Sequence, residues 1–352
     1  MVLALSIATS EGVTDIASMA PTINWSGDYA RCARTLSFGM VSSPIDASIP
    51  VVDVPLGAGI LLRDEGELLF EGYIFTRQKL TDSSVVEITG HDRGIYLNKN
   101  KAVYKFSNMT PEDITKRVCA DFGIQTGNVI TTGVRISRNF VGVSLYQIIQ
   151  TAYTLASRET GDKYQIRFKG STLEVIKKDI SDDTLIIAGG SNLISAAVTE
   201  SIENMVTQVA IHGDNDKLIT TVKNDELIGL YGVMREYLKK TKGEDPVAKA
   251  RRMLEDNGVS QKITVNNLGD IRCVTGNAVV LQEPYTGLYG LFWIDSDTHT
   301  WKKGMYFNKL TLNFRRMMDE REAGSVTKDK KTGKADKWEY VFNQKGGDAH
   351  GG

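Results

Sequence analysis

The sequence is poor in the groups that most often carry chemistry. Its three cysteines, Cys32, Cys119 and Cys273, are far apart, odd in number and form no CxxC pair. That argues against a disulfide framework or a zinc centre and for buried thiols in a reducing compartment. The four histidines, His91, His212, His299 and His350, each stand alone without an HExxH motif, so no metal is expected. Lys and Arg number 42 against 43 Asp and Glu, a net charge of −1, which lacks the basic excess that counterion release on a nucleic acid requires. No run approaches the roughly 18 consecutive apolar residues of a membrane span. The apolar start, residues 1–8, has no preceding Lys or Arg and soon meets Glu11, so it reads as an opening strand rather than a signal peptide. Synthesis in the cytoplasm, with neither nucleic acid nor membrane as partner, is the expectation.

Catalytic motifs are equally scarce. Gly57 and Gly59 lack the third glycine of a dinucleotide fingerprint and enter a strand, and no G-x-S-x-G elbow occurs. Gly213-Asp-Asn-Asp has no glutamate at the far end of a calcium loop and reads as a hairpin turn. Carboxylate pairs such as Glu71 with Asp92 or Glu283 with Asp295 are conceivable for glycoside hydrolysis, but nothing singles them out from the 43 acidic residues. Asp295, Asp297 and His299 alternate at strand spacing, which puts all three on one face, as a hydrolytic or cation site requires. A solvated turn rim is the preferred reading of the three. No catalytic residue and no cofactor is assigned.

What the sequence does contain is β-structure. Residues 276–314 read Gly-Asn-Ala-Val-Val-Leu, a turn at Pro284 and Gly287, Tyr-Gly-Leu-Phe-Trp-Ile, a polar excursion from Asp295 to Trp301, then Lys309-Leu-Thr-Leu-Asn-Phe. Such runs, punctuated by Gly, Pro and Asp, predict antiparallel strands. The layout echoes residues 57–94. Gly57-x-x-Ile-Leu-Leu stands against Gly276-x-x-Val-Val-Leu, and Gly72-Tyr-Ile-Phe against Gly290-Leu-Phe-Trp. The reading is an internal duplication, with chance similarity of two hairpins as the alternative; the polar excursion then becomes a loop that the first copy fills with residues 76–84.

Between the copies the period changes. Thr110-Pro-Glu-Asp starts a helix with Ile114, Val118 and Phe122 inward. Ser144 starts another, with Leu145, Ile148, Ile149, Ala152, Tyr153 and Ala156 on one face, and a hairpin turning at Gly170 follows. At 352 residues the chain exceeds one core. The expected fold class is α+β and β-rich, with two similar antiparallel β-barrel-like domains flanking a small α+β domain. The domains run 1–100, 101–200 and 201–318, the last with an inserted helix at 245–257 behind Asp245-Pro246. Residues 319–352, rich in Lys, Asp and Gly around the single apolar cluster 338–342, read as a flexible tail.

Several phrases are specific in combination. Asn24-Trp-Ser-Gly-Asp, Leu69-Phe-Glu-Gly-Tyr-Ile-Phe, Thr110-Pro-Glu-Asp-Ile, Val118-Cys-Ala-Asp-Phe-Gly-Ile, Ser144-Leu-Tyr-Gln-Ile-Ile-Gln, Ser201-Ile-Glu-Asn-Met-Val and Ile294-Asp-Ser-Asp-Thr-His-Thr-Trp resemble the XkdQ/YqbQ family of prophages and contractile phage tails. The resemblance spans about residues 24–314. It implies a structural, non-enzymatic baseplate hub similar to that of T-even phages: a homotrimer whose paired β-domains give a pseudo-sixfold ring between the tail tube protein and the central spike protein. Tape measure and cell-wall hydrolase or LysM-type baseplate proteins are further implied neighbours, in a phage or bacteriocin particle. A tail-associated peptidoglycan hydrolase or glycan-binding protein is the alternative, resting on Asp295, Asp297 and His299. For assembly, the outer-strand positions Glu71, Tyr73, Phe75, Leu291, Trp293 and Trp301 are marked, because strands apolar on both faces suit packing between core and partner.

Overall fold

The structure, a computed structural model, describes residues 3–10, 12–42, 49, 52–81, 83–241 and 245–326. Its first half is an antiparallel sheet of β1 (Leu3–Thr9), β2 (Gly12–Asp15), β3 (Thr22–Asp28), β4 (Thr35–Val41), β5 (Gly59–Asp64), β6 (Glu67–Lys79) and β7 (Val85–Asp92). The spatial order is β3-β4-β7-β6-β5-β1-β2. In β4, Leu36, Phe38 and Met40 are buried while the residues between them are half-exposed, the period-two signature of a sheet with one face on a core. Leu5, Ile7, Ile60, Leu62 and Ile88 complete that core.

The middle of the chain comprises α1 (Gly94–Lys99), β8 (Lys101–Met109), α2 (Pro111–Asp121), β9 (Thr126–Val129), β10 (Ile136–Ser144), α3 (Leu145–Thr160), β11 (Tyr164–Lys169) and β12 (Thr172–Lys177). Local chemistry starts and stops its helices. The Thr110 side chain accepts from the Asp113 N–H with Pro111 at the first helical position. Ser144 and Gln147 form a reciprocal capping box, and Gly161 ends α3 in the left-handed region at φ 77°. The apolar face of α3 is buried against α2 and both local sheets.

The second half begins earlier than the sequence suggests, with β13 (Leu185–Ala188) and β14 (Leu193–Ser201). A subdomain is then inserted: β15 (Gln208–His212), β16 (Leu218–Lys223), α4 (Asp225–Tyr231), β17 (Arg235–Lys239) and α5 (Pro246–Asp256). Asp245 caps α5 by accepting from the Val247 and Ala248 N–H groups at 2.9 and 3.2 Å. The main sheet resumes with β18 (Ser260–Leu268), β19 (Ala278–Glu283), β20 (Leu288–Lys302) and β21 (Met305–Asn313). No helix among the described residues is long and apolar enough to cross a membrane.

Residues 318–326, mostly assigned to a tail by composition, are docked on the middle of the chain. β22 (Ser325–Val326) pairs with β10, and Met318 is buried. Tyr146 donates its hydroxyl to Asp319 at 2.7 Å, and Arg138 donates Nε to the Ala323 carbonyl at 2.5 Å. Gly324 is required at φ 74°, where a Cβ would lie 2.3 Å from the Asn139 carbonyl oxygen. Composition missed this segment because few fixed contacts, not a large apolar area, hold it. The remaining tail, 327–352, including 338–342 and His350, lies outside the described residues.

The two halves are copies of one unit. β3-β4-β7-β6-β5-β1 in the first occupies the same order as β14-β18-β21-β20-β19-β13 in the second. The registers agree in detail. Ile60 pairs with Gly72 as Val279 pairs with Phe292, and Ile74 with Gly90 as Ile294 with Leu312. Both long strands carry a register shift at the same place, between Ile74 and Thr76 and between Ile294 and Ser296. Gly57 therefore corresponds to Gly276, as the sequence suggests, and each donates its N–H to the equivalent carbonyl, of Ile74 and Ile294. Gly72 corresponds to Phe292, so the match of Gly72 with Gly290 is out of register by two residues. One strand departs from the copy: β1 runs antiparallel to β5, whereas β13 runs parallel to β19. β20 also pairs with β3, so one 13-stranded sheet runs through both halves.

Candidate functional site

The Asp-x-Asp-x-His strip sits at that seam. Residues 288–293 of β20 pair with β19, while residues 296–302 pair with β3, and β21 runs along the other side. In the seam register, Asp297 faces Gly27 and His299 faces Trp25. A Cβ on Gly27 would lie 2.2 Å from the Arg34 guanidinium, so the missing side chain is what gives Arg34 its path. Arg34 lies over the Trp25 ring, 3.9 Å from its centroid. It donates Nη1 to Asp297 Oδ1 at 3.0 Å and Nη2 to Oδ2. Thr275 donates its N–H to Oδ1 at 2.6 Å, and its hydroxyl to the same atom.

His299 completes the network. Its Nε2 is 3.0 Å from the Cys273 carbonyl oxygen and 3.2 Å from Asp297 Oδ2, both acceptors, so Nε2 carries the proton. Its Nδ1 is 2.6 Å from the Tyr306 hydroxyl and 2.9 Å from Asn308 Nδ2, both able to donate, so Nδ1 is the acceptor. The imidazole is neutral: burial lowers its pKa, and the Asp297 carboxylate opposes this only in part. The close Asp–His contact is thus a hydrogen bond. Burial alone would raise the pKa of Asp297; the Arg34 charge, with hydrogen bonds from His299 and Arg34, overcomes it and holds the carboxyl well below its usual range.

Asp297 is 2% exposed and His299 0%, so neither a substrate nor a hydrolytic water reaches them. All four polar atoms of the pair are already committed inside the sheet. The strip is neither a solvated loop nor a reactive face; it is a strand that locks the two halves together. The shift after Ile294 separates Asp295 from this network. Asp295 instead accepts from Asn313 Nδ2 at 3.1 Å, with its pKa raised by burial. Of the other paired carboxylates, Asp92 accepts from the Arg34 and Gly94 N–H groups at 3.0 and 2.8 Å, Glu283 accepts from the Tyr285 and Thr286 N–H groups, and Glu71 lies 3.9 Å from Arg93 Nη2. No group of three or more His, Cys, Asp or Glu among the described residues is arranged to hold a metal ion.

Opposed titrations give a test. The depressed pKa of His299 contributes stability that is present above the unfolded value of about 6.5 and lost as pH falls through the folded one. Asp92 acts in the other direction, because burial raises it to about 6. Its contribution is present below the unfolded value of about 3.9 and lost as pH rises through the folded one. Asp92→Asn is therefore expected to steepen the loss of stability between about pH 7 and pH 5, read as urea midpoints. An unchanged or shallower slope would contradict it.

The marked assembly residues fall into two groups. Glu71, Tyr73, Phe75 and Leu291 are half-buried. Tyr73 and Phe75 pack against Tyr96 at ring-centroid distances of 6.1 and 6.0 Å, which leaves them only partly available to a neighbour. Trp293 and Trp301 are 7% and 4% exposed. Trp301 belongs to the core of the first half and stacks on Tyr306 at 4.6 Å; both tryptophans therefore face inward in the chain. Sequence reading missed Arg34, Thr275, Tyr306 and Asn308, since nothing local to Arg34 points to a carboxylate 263 residues away.

The duplication exposes another site. Residues 296–302 of β20 have strands on both sides, but their counterparts in β6, Thr76, Arg77, Gln78 and Lys79, have only β7 among the described residues and are exposed. Conversely, β3 has neighbours on both sides, whereas its counterpart β14 pairs with β18 alone among the described residues. Each half-joint is open once.

Comparison with known proteins agrees with this architecture. The XkdQ protein of the phage-like element PBSX from Bacillus subtilis is 24% identical over 294 residues, covering 81% of this chain and 89% of that protein. The YqbQ protein of the same organism is 26% identical over 256 residues, covering 70% and 78%. The 43 kDa tail protein of prophage MuSo2 from Shewanella oneidensis superposes with a TM-score of 0.66 at 14% identity, over 88% of this chain and 98% of that one. A tail protein from Neisseria meningitidis gives 0.63 at 14% identity, over 89% and 96%, so the fold is that of phage tail proteins. The YQBQ-like family model matches residues 23–313, and the chain belongs to the YqbQ-like family.

Proposed function

We propose that this protein is a structural baseplate hub of a contractile phage tail or tail-like particle, three copies closing into a pseudo-sixfold ring that joins the tail tube to the central spike. The observation that carries this reading is the joint between two copies of one strand unit inside a single chain. Repeating that joint from chain to chain uses the half-joints that each chain leaves open, and a head-to-tail contact of this kind closes into a ring when its rotation allows. Three chains place six similar units about one axis, which suits a sixfold tube on one face and a threefold spike on the other. Kinship with a protein of a phage-like element supports the setting. So does the fold of the Escherichia coli protein c3393, described as a type VI secretion component structurally similar to T4 tail proteins gp27 and gp5, which superposes with a TM-score of 0.51 at 11% identity, over 87% of this chain and 76% of that one.

The purified chain is expected to sediment at the mass of three copies and to bind the tail tube protein, without clearing cell walls in a zymogram. A monomer that binds neither tube nor spike, or clearing that disappears in Asp295→Ala, would overturn the reading.

A further inference from the structure

The intrachain seam specifies the register of the contact between chains. Three strand pairings, each present in both copies, fix the correspondence between them. Ile74 answers to Ile294 and Gly90 to Leu312; Leu36 answers to Ile263 and Trp25 to Val198. Carried one step further, Ser26, Gly27 and Asp28 answer to Thr199, Glu200 and Ser201, and Ser296, Asp297 and Thr298 to Thr76, Arg77 and Gln78. Within the chain, Ser296 pairs with Asp28, Asp297 with Gly27 and Thr298 with Ser26.

We infer that the open edge of β6 pairs antiparallel with the open edge of β14 in a second copy of this chain, with Thr76 opposite Ser201, Arg77 opposite Glu200 and Gln78 opposite Thr199. The inference rests on the ring reading above and names the surface that builds the ring.

Three observations support the match. Both edges are open and exposed, with Arg77, Gln78, Thr199 and Glu200 all at the surface. The transferred register places a cation opposite an anion, and directly opposed residues of an antiparallel pair have neighbouring side chains on the same face. The charges also sit where the buried Arg34–Asp297 pair holds the seam, so each joint brings an arginine and a carboxylate together, with different residues supplying them. Arg77 already donates Nη1 to the Val54 carbonyl at 2.8 Å, and among the described residues its other nitrogens have no hydrogen-bond partner, so they can reach Glu200. Among the described residues Glu200 accepts a side-chain hydrogen bond from its sheet neighbour Gln261 alone, at 3.4 Å.

Cysteine cross-linking tests it in the full-length chain. Adjacent positions alternate between hydrogen-bonded and non-hydrogen-bonded pairs, so the double variants Arg77→Cys/Glu200→Cys and Gln78→Cys/Thr199→Cys sample both geometries. The three native cysteines are buried and provide a silent background. At least one double variant is expected to give covalent dimers and trimers on a non-reducing gel under mild oxidation, with none from any of the four single variants. A chain that sediments as a trimer yet forms no cross-link in either double variant would overturn this pairing while leaving the ring intact; a chain that stays monomeric would overturn both. A charge exchange supplies the second readout. Arg77→Glu is expected to abolish association at a concentration where the parent is assembled, and Arg77→Glu/Glu200→Arg to restore it. Failure of the exchange to restore association in a variant whose unfolding midpoint is unchanged would overturn the Arg77–Glu200 contact.

Discussion

Asp297→Ala is expected to destabilise the chain by about 3 kcal/mol or more, because it removes one partner of a buried ion pair and leaves the other in place. Arg34 would keep its position over Trp25 with nothing to neutralise it. The Thr275 N–H and hydroxyl would lose their acceptor as well, and the His299 Nε2 proton would keep only the Cys273 carbonyl. Arg34 retains 15% side-chain exposure, which lets some water reach the guanidinium and puts the expected loss at the lower end of the usual range. Asp297→Asn should fall between, since an amide oxygen still accepts from Thr275 but carries no charge. Replacing both partners, as Arg34→Leu/Asp297→Leu, is expected to recover much of the loss, as apolar substitutes for buried pairs commonly do. Urea midpoints across the four proteins measure this. A single alanine variant within about 0.5 kcal/mol of the parent would show that the seam does not depend on the pair.

A chain ending at residue 318 should be markedly less stable than one ending at residue 326. The eight residues between bring Asp319 to Tyr146, the Asp319 carbonyl to the Gln150 side chain, and Glu322 with the Ala323 carbonyl to Arg138. Without them, Arg138, at 6% exposed, and Gln150, at 2%, lose partners deep in the middle of the chain, and each buried unpaired group costs about 1–3 kcal/mol. The expected signature is a lower melting temperature and faster proteolysis of the segment containing α3. Equal melting temperatures for the two truncations would mean that the docked segment is an ornament on a domain already complete.

Helices were legible from sequence because their ends are encoded locally. Thr110, Ser144 and Asp245 each cap a helix within three residues of its first turn, and Gly161 stops one by its backbone freedom. Strands were legible from alternation, and the duplication from layout. What alternation could not reveal is a place where it breaks. The shift between Ile294 and Ser296 divides the Asp295–Asp297–His299 strip, so residues that read as one face have separate partners. The same shift between Ile74 and Thr76 is what fixes the true correspondence of the copies; the glycines Gly72 and Gly290 suggested another. Sheet continuity was equally hidden, since the pairing of β20 with β3 joins segments more than 250 residues apart and leaves no mark on either. Trp293 and Trp301 look like partner-facing aromatics in a one-dimensional pattern, yet a strand flanked on both sides inside a chain is apolar on both faces for the same reason.

The open half of β6 also constrains which contacts the chain avoids. Were two copies to meet through the same edge, related by a twofold axis, strands reading Thr-Arg-Gln-Lys would lie antiparallel against each other and bring like charges together. Cationic side chains on an exposed edge discourage such self-pairing. An isologous dimer, which would use up the β6 edge of both copies and leave their β14 edges without it, is thereby disfavoured. On the pairing inferred above, the same short polar stretch that leaves the sheet unfinished is thus also a polarity filter, favouring a partner that presents the opposite edge.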